Sequence, residues 1–348
     1  MSSKLPYLSG ARGERITAST RWTGGPDGHF RNTHISMKAP SPPLSVMGSF
    51  FFRRARRTPK TSLPVDRPHE AWTQPADTGL RVTWLGHSTL LLEIDGHTVL
   101  TDPVFGARAS PSERFGPKRF HPTPASLDEL PPLTAVLLSH DHFDHLCALT
   151  MRALAASDVP IITALGVGHH LERFGINPTS IHELDWHENI EVKGLRFTAT
   201  PAQHFSGRSL HDRNRTLWAS WVINSDRHRV FFSGDTGLTP EFTDIAKQYG
   251  PFDLTMLEIG AWHPAWGTIH LGPENALEAF AMLGGGTLLP VHWGTFNLAL
   301  HDWDDPGETL VNLAEARGAR IITPRLGQVV EPAQLDGPTP WWRELSTR

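Results

Sequence analysis

Apolar and polar positions are arranged in two different ways along this chain, and the change falls near residue 75. Residues 1–75 are rich in Pro, Gly, Ser and Arg and sustain neither the two-residue period of a strand nor that of a helix. Ala39-Pro40-Ser41-Pro42-Pro43 is extended, because each proline biases its predecessor away from helix. An apolar run, Val46-Met47-Gly48-Ser49-Phe50-Phe51-Phe52, leads into the basic Arg53-Arg54-Ala55-Arg56-Arg57. This region reads as an N-terminal extended arm, partly packed on the body and frayed at its start.

Residues 76–348 read as one globular domain. Short apolar runs predict strands at 81–85, 90–94, 98–101, 135–139, 160–163, 197–200, 218–224, 230–233, 254–259, 288–291 and 320–323. Asp95-Gly96 signals a tight turn between the second and third of these. Helical patterning predicts helices over 143–156, 240–249, 273–283 and 306–317, the last stopped by Gly318. Strands interleaved with helices indicate a layered α/β protein.

Composition narrows the function classes. The longest apolar pieces have strand length, far short of the roughly 20 residues of a membrane span. Lys and Arg total 32 against 36 Asp and Glu, a net charge of -4, which gives no footing for a nucleic-acid partner. The single cysteine, Cys147, excludes an intramolecular disulfide and cysteine-rich zinc modules. No apolar signal-peptide core follows Met1, and a cytoplasmic chain is expected. Histidine is the outlier, with 20 residues against two tyrosines, and directs attention to metal or acid–base chemistry.

The histidines concentrate in Ser139-His140-Asp141-His142-Phe143-Asp144-His145-Leu146, between an apolar strand and a predicted helix. Alternate residues of an extended segment point the same way, so His140 and His142 can reach one metal ion. Asp144 and His145, at the turn into the helix, can face a second. A solvated His-rich loop is the plain alternative, and further ligands at other strand ends decide against it. His204 follows strand 197–200, Asp235 follows 230–233 and His292 ends 288–291. The set is an N/O donor group suited to Zn²⁺, Mn²⁺ or Fe ions.

This motif and the order of the later ligands resemble the metallo-β-lactamase superfamily. Other segments resemble one branch of it, the N-acyl-phosphatidylethanolamine-hydrolysing phospholipase D family. They include Leu85-Gly86-His87-Ser88-Thr89, Leu100-Thr101-Asp102-Pro103, Gly116-Pro117-Lys118-Arg119-Phe120, Gly234-Asp235-Thr236-Gly237 and His292-Trp293-Gly294-Thr295-Phe296. The resemblance covers roughly residues 75–330. It implies a four-layer αββα sandwich with a dinuclear site at one edge, between the sheets. Ion one would take His140, His142 and His204; ion two Asp144, His145 and His292; Asp235 would bridge them. Two Zn²⁺ are the expected cofactors. The implied reaction is phospholipase D-type hydrolysis of N-acyl phosphatidylethanolamine to N-acylethanolamine and phosphatidic acid. A lactone, a β-lactam or a nucleotide phosphodiester is the alternative substrate, and a non-catalytic metal-binding scaffold the alternative class.

Asp144 and His270 are the expected catalytic residues. His270, before a predicted helix, matches a histidine that the family places over the site, as proton donor or phosphate contact; a structural role stands beside these. His263 is the weaker candidate. His87 and Asp102 are expected to orient ligands rather than bind metal. Glu258 ends an apolar strand and either hydrogen-bonds a ligand histidine or lies at the surface. Cys147 is expected to be packed and inert, His169 and His170 to be surface residues. Trp262, Trp266 and Trp293 either serve the core or line an acyl-chain groove. Phospholipid substrate implies peripheral contact with the inner face of a membrane through residues 46–60, where Phe50–Phe52 precede Arg53, Arg54, Arg56, Arg57 and Lys60. The same phenylalanines could instead hold the second subunit of a homodimer.

Overall fold

The computed structural model describes residues 10–24, 28–34, 56–263, 266 and 268–346, and in it the short apolar runs become strands. A hairpin comes first, β1 (Trp22–Thr23) with β2 (His29–Phe30). The first large sheet uses β3 (Leu80–Gly86), β4 (Thr89–Ile94), β5 (His97–Thr101), β6 (Ala135–Leu138), β7 (Ile161–Ala164) and β8 (Ile181–Leu184). The second uses β9 (Asn189–Val192), β10 (Leu195–Thr200), β11 (Ser220–Asn224), β12 (Arg229–Phe232), β13 (Leu254–Glu258) and β14 (Thr287–Val291). A last strand, β15 (Val329–Val330), returns to the outer side of β3. The orders are β15-β3-β4-β5-β6-β7-β8 and β14-β13-β12-β11-β10-β9.

Every residue of β3, β6, β13 and β14 is buried, the pattern of strands covered on both faces. Helices supply the outer layers of the αββα sandwich. Ala148–Leu154 makes the crossover between the parallel strands β6 and β7, and Gly168–Arg173 packs near β8. Gly272–Met282 lies against β13 and Asp305–Arg317, which ends at left-handed Gly318. At the β4–β5 turn Asp95 (φ 48°) and Gly96 (φ 82°) both take positive φ, and Ile94 meets His97 across a two-residue hairpin.

Topology explains why the candidate ligands meet. Strands β5 to β8 run parallel, as do β12 to β14, and β10 runs the same way as β12 through antiparallel β11. Residues just past the C-terminal ends of β6, β10, β12 and β14 therefore open on one edge of the sandwich, where open α/β sheets place ligands.

The structure departs from the sequence expectations in identifiable places. The helix predicted over 143–156 begins only at Ala148. The strand predicted at 320–323 shrinks to one bridge, Ile321 beside Leu288. The sequence reading missed β8 and β9, edge strands whose half-exposed residues give no apolar run. Within 1–75, helix Gly10–Ala18 and the first hairpin bring Ile16, Trp22 and Phe30 into the main core. Residues 46–55 lie outside the described residues. Arg56 is described and is tied to the body, its Nε 3.3 Å from Asp302 Oδ2 and its Nη2 3.8 Å from Asp304 Oδ2. Among the described residues no helix is long and apolar enough to cross a membrane.

Candidate metal centre

The loop after β6 is kept out of helical form by its own odd residue. Asp141 is buried and turned away from its histidine neighbours. It accepts from Gly207 N at 2.8 Å and Thr216 Oγ1 at 2.9 Å, and faces His170 Nε2 at 3.3 Å. Arg208 lies over the Phe143 ring and donates Nη1 to the carbonyls of Asp141 (2.5 Å) and Leu146 (2.8 Å). Those carbonyls are satisfied without helical partners, so the chain makes a single turn here before the helix starts. His170, expected at the surface, is instead half-buried on Asp141.

The seven predicted ligands converge. His140 Nε2 is 2.8 Å from His142 Nδ1, and His204 Nε2 is 3.3 Å from the same atom. Asp235 Oδ2 lies 3.9 Å from His140 Nε2 and 3.7 Å from His204 Nε2. On its other side Asp235 Oδ2 lies 3.2 Å from His145 Nε2 and 3.1 Å from His292 Nε2. Asp144 Oδ2 completes this second group, 3.3 Å from His292 Nε2 and 3.6 Å from His145 Nε2. Two ligand-sized clusters result, His140, His142, His204 and Asp235 on one side and His87, Asp144, His145 and His292 on the other, and Asp235 Oδ2 reaches from the first to His145 and His292 of the second.

Hydrogen bonds behind the rings identify which nitrogens face the centre as lone pairs. Asp102 accepts from Ser139 N at 2.7 Å and Ser139 Oγ at 2.6 Å, and faces His145 Nδ1 at 2.7 Å. A carboxylate only accepts, so His145 Nδ1 carries the hydrogen and Nε2 is an acceptor. Ser139 Oγ, having given its hydrogen to Asp102, accepts from His140 Nδ1 at 2.9 Å, which makes His140 Nε2 an acceptor too. His204 Nδ1 donates to the Ile269 carbonyl at 2.8 Å, leaving Nε2 the same way. With the rings neutral, as metal ligation requires, three imidazole lone pairs and two carboxylates meet at the centre. His145 Nε2 and Asp235 Oδ1 are buried with no hydrogen-bond partner among the described residues. That excess of acceptors fits divalent cations, and the imidazole–carboxylate chemistry fits zinc, manganese or iron.

Charge follows the same pattern. Burial opposes ionisation of Asp235, but His145 and His292 outweigh it and hold its pKa well below the carboxylate range. Burial likewise opposes a charged His292, yet Asp235 and Asp144 raise its pKa to about 10. Without cations, the carboxylates can be balanced only by protons on their imidazole neighbours. His140 and His204 are pushed well below their usual value, chiefly by burial.

Backbone strain marks the same loops. His87 (φ 56°), Asp102 (φ 32°) and His292 (φ 64°) occupy the left-handed region. A Cβ on Gly260 would lie 2.1 Å from the His292 carbonyl, and one on Gly234 would lie 2.5 Å from Ser139 Cβ. Both positions need glycine for these loops to close.

His87 Nε2 sits 3.0 Å from Asp144 Oδ2, and burial lowers its pKa to about 3, so it is neutral and can donate to that oxygen. Glu258 is fully buried, which corrects the alternative of a surface position. It accepts from Thr236 N at 2.8 Å and faces His270 Nδ1 at 2.9 Å. His270 in turn lies with its ring centroid 5.3 Å from that of His292 and 5.1 Å from that of His204. Half-buried His263 contacts Trp266 instead. Cys147 packs with Val104, Ala109 and Phe296. Trp293 is buried against Trp84, with one edge on the cleft beside His292. The sequence reading missed Arg208 and Asn32. Asn32 exchanges hydrogen bonds with the His204 backbone, 2.9 Å to its carbonyl and 3.1 Å from its N–H. An asparagine in an unpatterned arm gives no sequence signal for that clamp.

Comparison with known proteins agrees with this geometry. The Beta-lactamase superfamily domain matches residues 97–293. An uncharacterised Mycobacterium tuberculosis protein is 49% identical over 268 residues, covering 76% of this chain and 72% of its own length. The Caenorhabditis elegans protein named N-acyl-phosphatidylethanolamine-hydrolyzing phospholipase D 1 is 33% identical over 303 residues, covering 79% of this chain and 85% of its own length. The solved structure of a metallo hydrolase from Ignicoccus hospitalis superposes with a TM-score of 0.55 at 22% identity, over 72% of this chain and 97% of that one. The chain is a metal-dependent hydrolase and belongs to the metallo-β-lactamase superfamily, in the branch it shares with the N-acyl-phosphatidylethanolamine-hydrolysing phospholipase D proteins.

Proposed function

We propose that this chain is a dinuclear zinc phosphodiesterase that hydrolyses N-acyl phosphatidylethanolamine to N-acylethanolamine and phosphatidic acid. The observation that carries the metal part is the convergence of acceptor nitrogens on Asp235. His140, His142 and His204 would hold one ion and Asp144, His145 and His292 the other, with Asp235 within reach of both sets. Two bound cations supply Lewis acidity toward a phosphoryl oxygen and make water a usable nucleophile near neutral pH. The substrate part is supported by the C. elegans relative, which is similar over most of its length.

The chain's own residues then have defined tasks. Asp102, Ser139 and the Ile269 carbonyl fix the ring orientations before substrate arrives. His87 and His292 hold Asp144 as an ionised acceptor at the centre. As the phosphorus–oxygen bond to the ethanolamine carbon arm breaks, its oxygen needs a proton. Burial opposes a charged His270, but Glu258 outweighs it and raises the His270 pKa. His270 Nδ1 is committed to Glu258, so Nε2 is the atom that hands over the proton. Access to bilayer substrate is assigned to residues 46–60; since Arg56 is already paired to Asp302, the contact would lie on its N-terminal side.

The test is product identification. Metal-loaded protein and a chelated control are incubated with N-acyl phosphatidylethanolamine, and lipids are analysed by mass spectrometry. Metal-dependent appearance of phosphatidic acid with N-acylethanolamine is expected. Release of fatty acid instead, or turnover only of a lactone, a β-lactam or a nucleotide diester, overturns the substrate.

A further inference from the structure

Among the described residues the large apolar side chains left exposed are Leu210 (95%), Phe115 (75%) and Leu149 (45%). Single exposed apolar side chains are ordinary, but these three share one edge. Leu210 lies on the loop after β10 and His204, Phe115 on the loop after β5 and Asp102, and Leu149 in the first turn of the helix after His145. Strands β5, β6 and β10 all end at the edge that carries the metal centre. Leu149 Cδ1 comes 3.9 Å from where a Cβ on Gly106 would sit, at the base of the Phe115 loop. The Leu210 loop is closed on itself. Asn214 N donates to the Ser206 carbonyl at 3.0 Å, and Asp212 Oδ1 accepts from Arg208 N at 2.9 Å and Ser209 N at 2.7 Å. Leu210 is therefore held outward by an ordered turn. Beside it is a groove of about 350 Å³ lined by His29, Leu210, His211, Arg213, Asn214 and Arg215, with no carboxylate in its lining. Arg215 donates to the Gly28 carbonyl at 2.5 Å. Arg213 is exposed, its Cζ 4.5 Å from the centre of the Phe205 ring, and that ring lies 4.6 Å from His142 and 4.7 Å from His204. Phe205 thus stands between Arg213 and two of the metal ligands.

We propose that this edge docks on a bilayer carrying anionic phospholipid, with Leu210 entering the headgroup boundary and Arg213 and Arg215 taking a lipid phosphate in the groove beside it. The inference rests on the phospholipid reading of the metal centre and adds a surface apart from residues 46–60. A phosphodiester at headgroup level reaches the ions only if the edge that holds them faces the bilayer. An exposed leucine gains by leaving water for the acyl boundary, and cations next to it gain from lipid phosphates. The absence of a carboxylate from the groove lining removes the group that would repel those phosphates. The net charge of -4 is no obstacle, because the cations are local to this loop. Phe115 and Leu149 extend the same apolar rim on the other side of the His142–Leu146 segment, to which Arg208 ties the Leu210 loop through the Leu146 carbonyl at 2.8 Å.

The experiment is co-sedimentation of the metal-loaded full chain with phosphatidylcholine vesicles, with and without phosphatidic acid, for wild type, Leu210→Ser, Arg213→Ala and Arg213→Lys. Wild type is expected to bind the phosphatidic acid vesicles more tightly. Leu210→Ser should weaken that binding about tenfold and Arg213→Ala about fivefold, while Arg213→Lys, which keeps the charge, should recover most of the loss. Turnover of N-acyl phosphatidylethanolamine in vesicles, relative to the same lipid in detergent micelles, should fall in step. Vesicle binding that neither Leu210→Ser nor Arg213→Ala weakens overturns the inference. So does a wild type that binds inorganic phosphate through Arg213 but not phosphatidic acid vesicles. A Leu210→Ser variant that loses a dimer seen in wild type, with vesicle binding unchanged, overturns it in favour of a second copy of the chain. Vesicle binding that falls in both variants, with no phospholipid cleaved by wild type, upholds the surface and overturns the phosphodiesterase reading alone.

Discussion

Two edges of the sandwich carry clusters of histidine and aspartate, and only one of them reads as a metal centre. At the edge away from the ligands, Asp95 in the β4–β5 turn meets residues of the β11–β12 turn. It accepts from Ser225 Oγ at 2.5 Å, faces His228 Nδ1 at 3.0 Å and pairs with Arg227. Hydroxyl, imidazole and guanidinium donors surround one carboxylate, and the cluster is complete as it stands. At the other edge Asp235 faces His145, His140 and His204, whose Nδ1 hydrogens are already committed to Asp102, Ser139 and the Ile269 carbonyl. Residue type does not separate the two clusters. The balance of donors and acceptors does, and a surplus of buried acceptors calls for cations.

The largest effect expected from this contrast is at Asp235. Asp235→Asn removes the charge shared by both clusters; bound metal and turnover should fall by orders of magnitude, while the circular dichroism spectrum is retained. A variant that kept its ions and near-normal turnover would break the bridging assignment. His270→Ala should keep its metal and lose about 10²–10⁴-fold in turnover, as for a missing acid–base group. Metal loss in that variant would move His270 into the ligand set. Asp102→Asn leaves every ligand in place but disturbs the hydrogen bond that fixes His145. A competition assay with a chromophoric chelator should show about 10–100-fold weaker metal binding.

The smallest effect sharpens the comparison from the other edge. Asp95→Ala should leave metal content and turnover unchanged and cost about 1 kcal/mol in urea unfolding at neutral pH. Burial opposes ionisation of Asp95, but Ser225, His228 and Arg227 outweigh it and depress its pKa. Its contribution is therefore present above the pKa of the unfolded chain and lost as pH falls through the lower folded value. The stability gap between wild type and variant should shrink in acid. A gap that widened there would contradict the account of this cluster.

The strand ends were legible in the sequence because short apolar runs stop abruptly at polar residues, as Leu138 does before His140 and Val291 before His292. The partners that decide ring orientation were only partly legible. Asp102 was reached through the family resemblance of Thr101-Asp102-Pro103, whereas the Ile269 carbonyl is a backbone atom that no residue pattern reveals. Arg208 and Asn32 act across 62 and 172 positions of chain, on Leu146 and His204, so only the fold brings them into reach. Glu258 was ambiguous because a polar residue ending a strand reads the same whether a neighbouring loop covers it or not. The stretch 143–147 looked helical, and the buried Asp141 and Arg208 contacts overrode that local preference.

The central claim, that the acceptor surplus marks a two-cation site, is tested most directly by metal stoichiometry. Protein saturated with zinc and then freed of loose ions is analysed by plasma mass spectrometry, for wild type and for His204→Ala. The account predicts about two ions per chain in wild type and about one in the variant, since His204 belongs to one cluster only. Wild type holding less than one ion, or a variant still holding two, would contradict it.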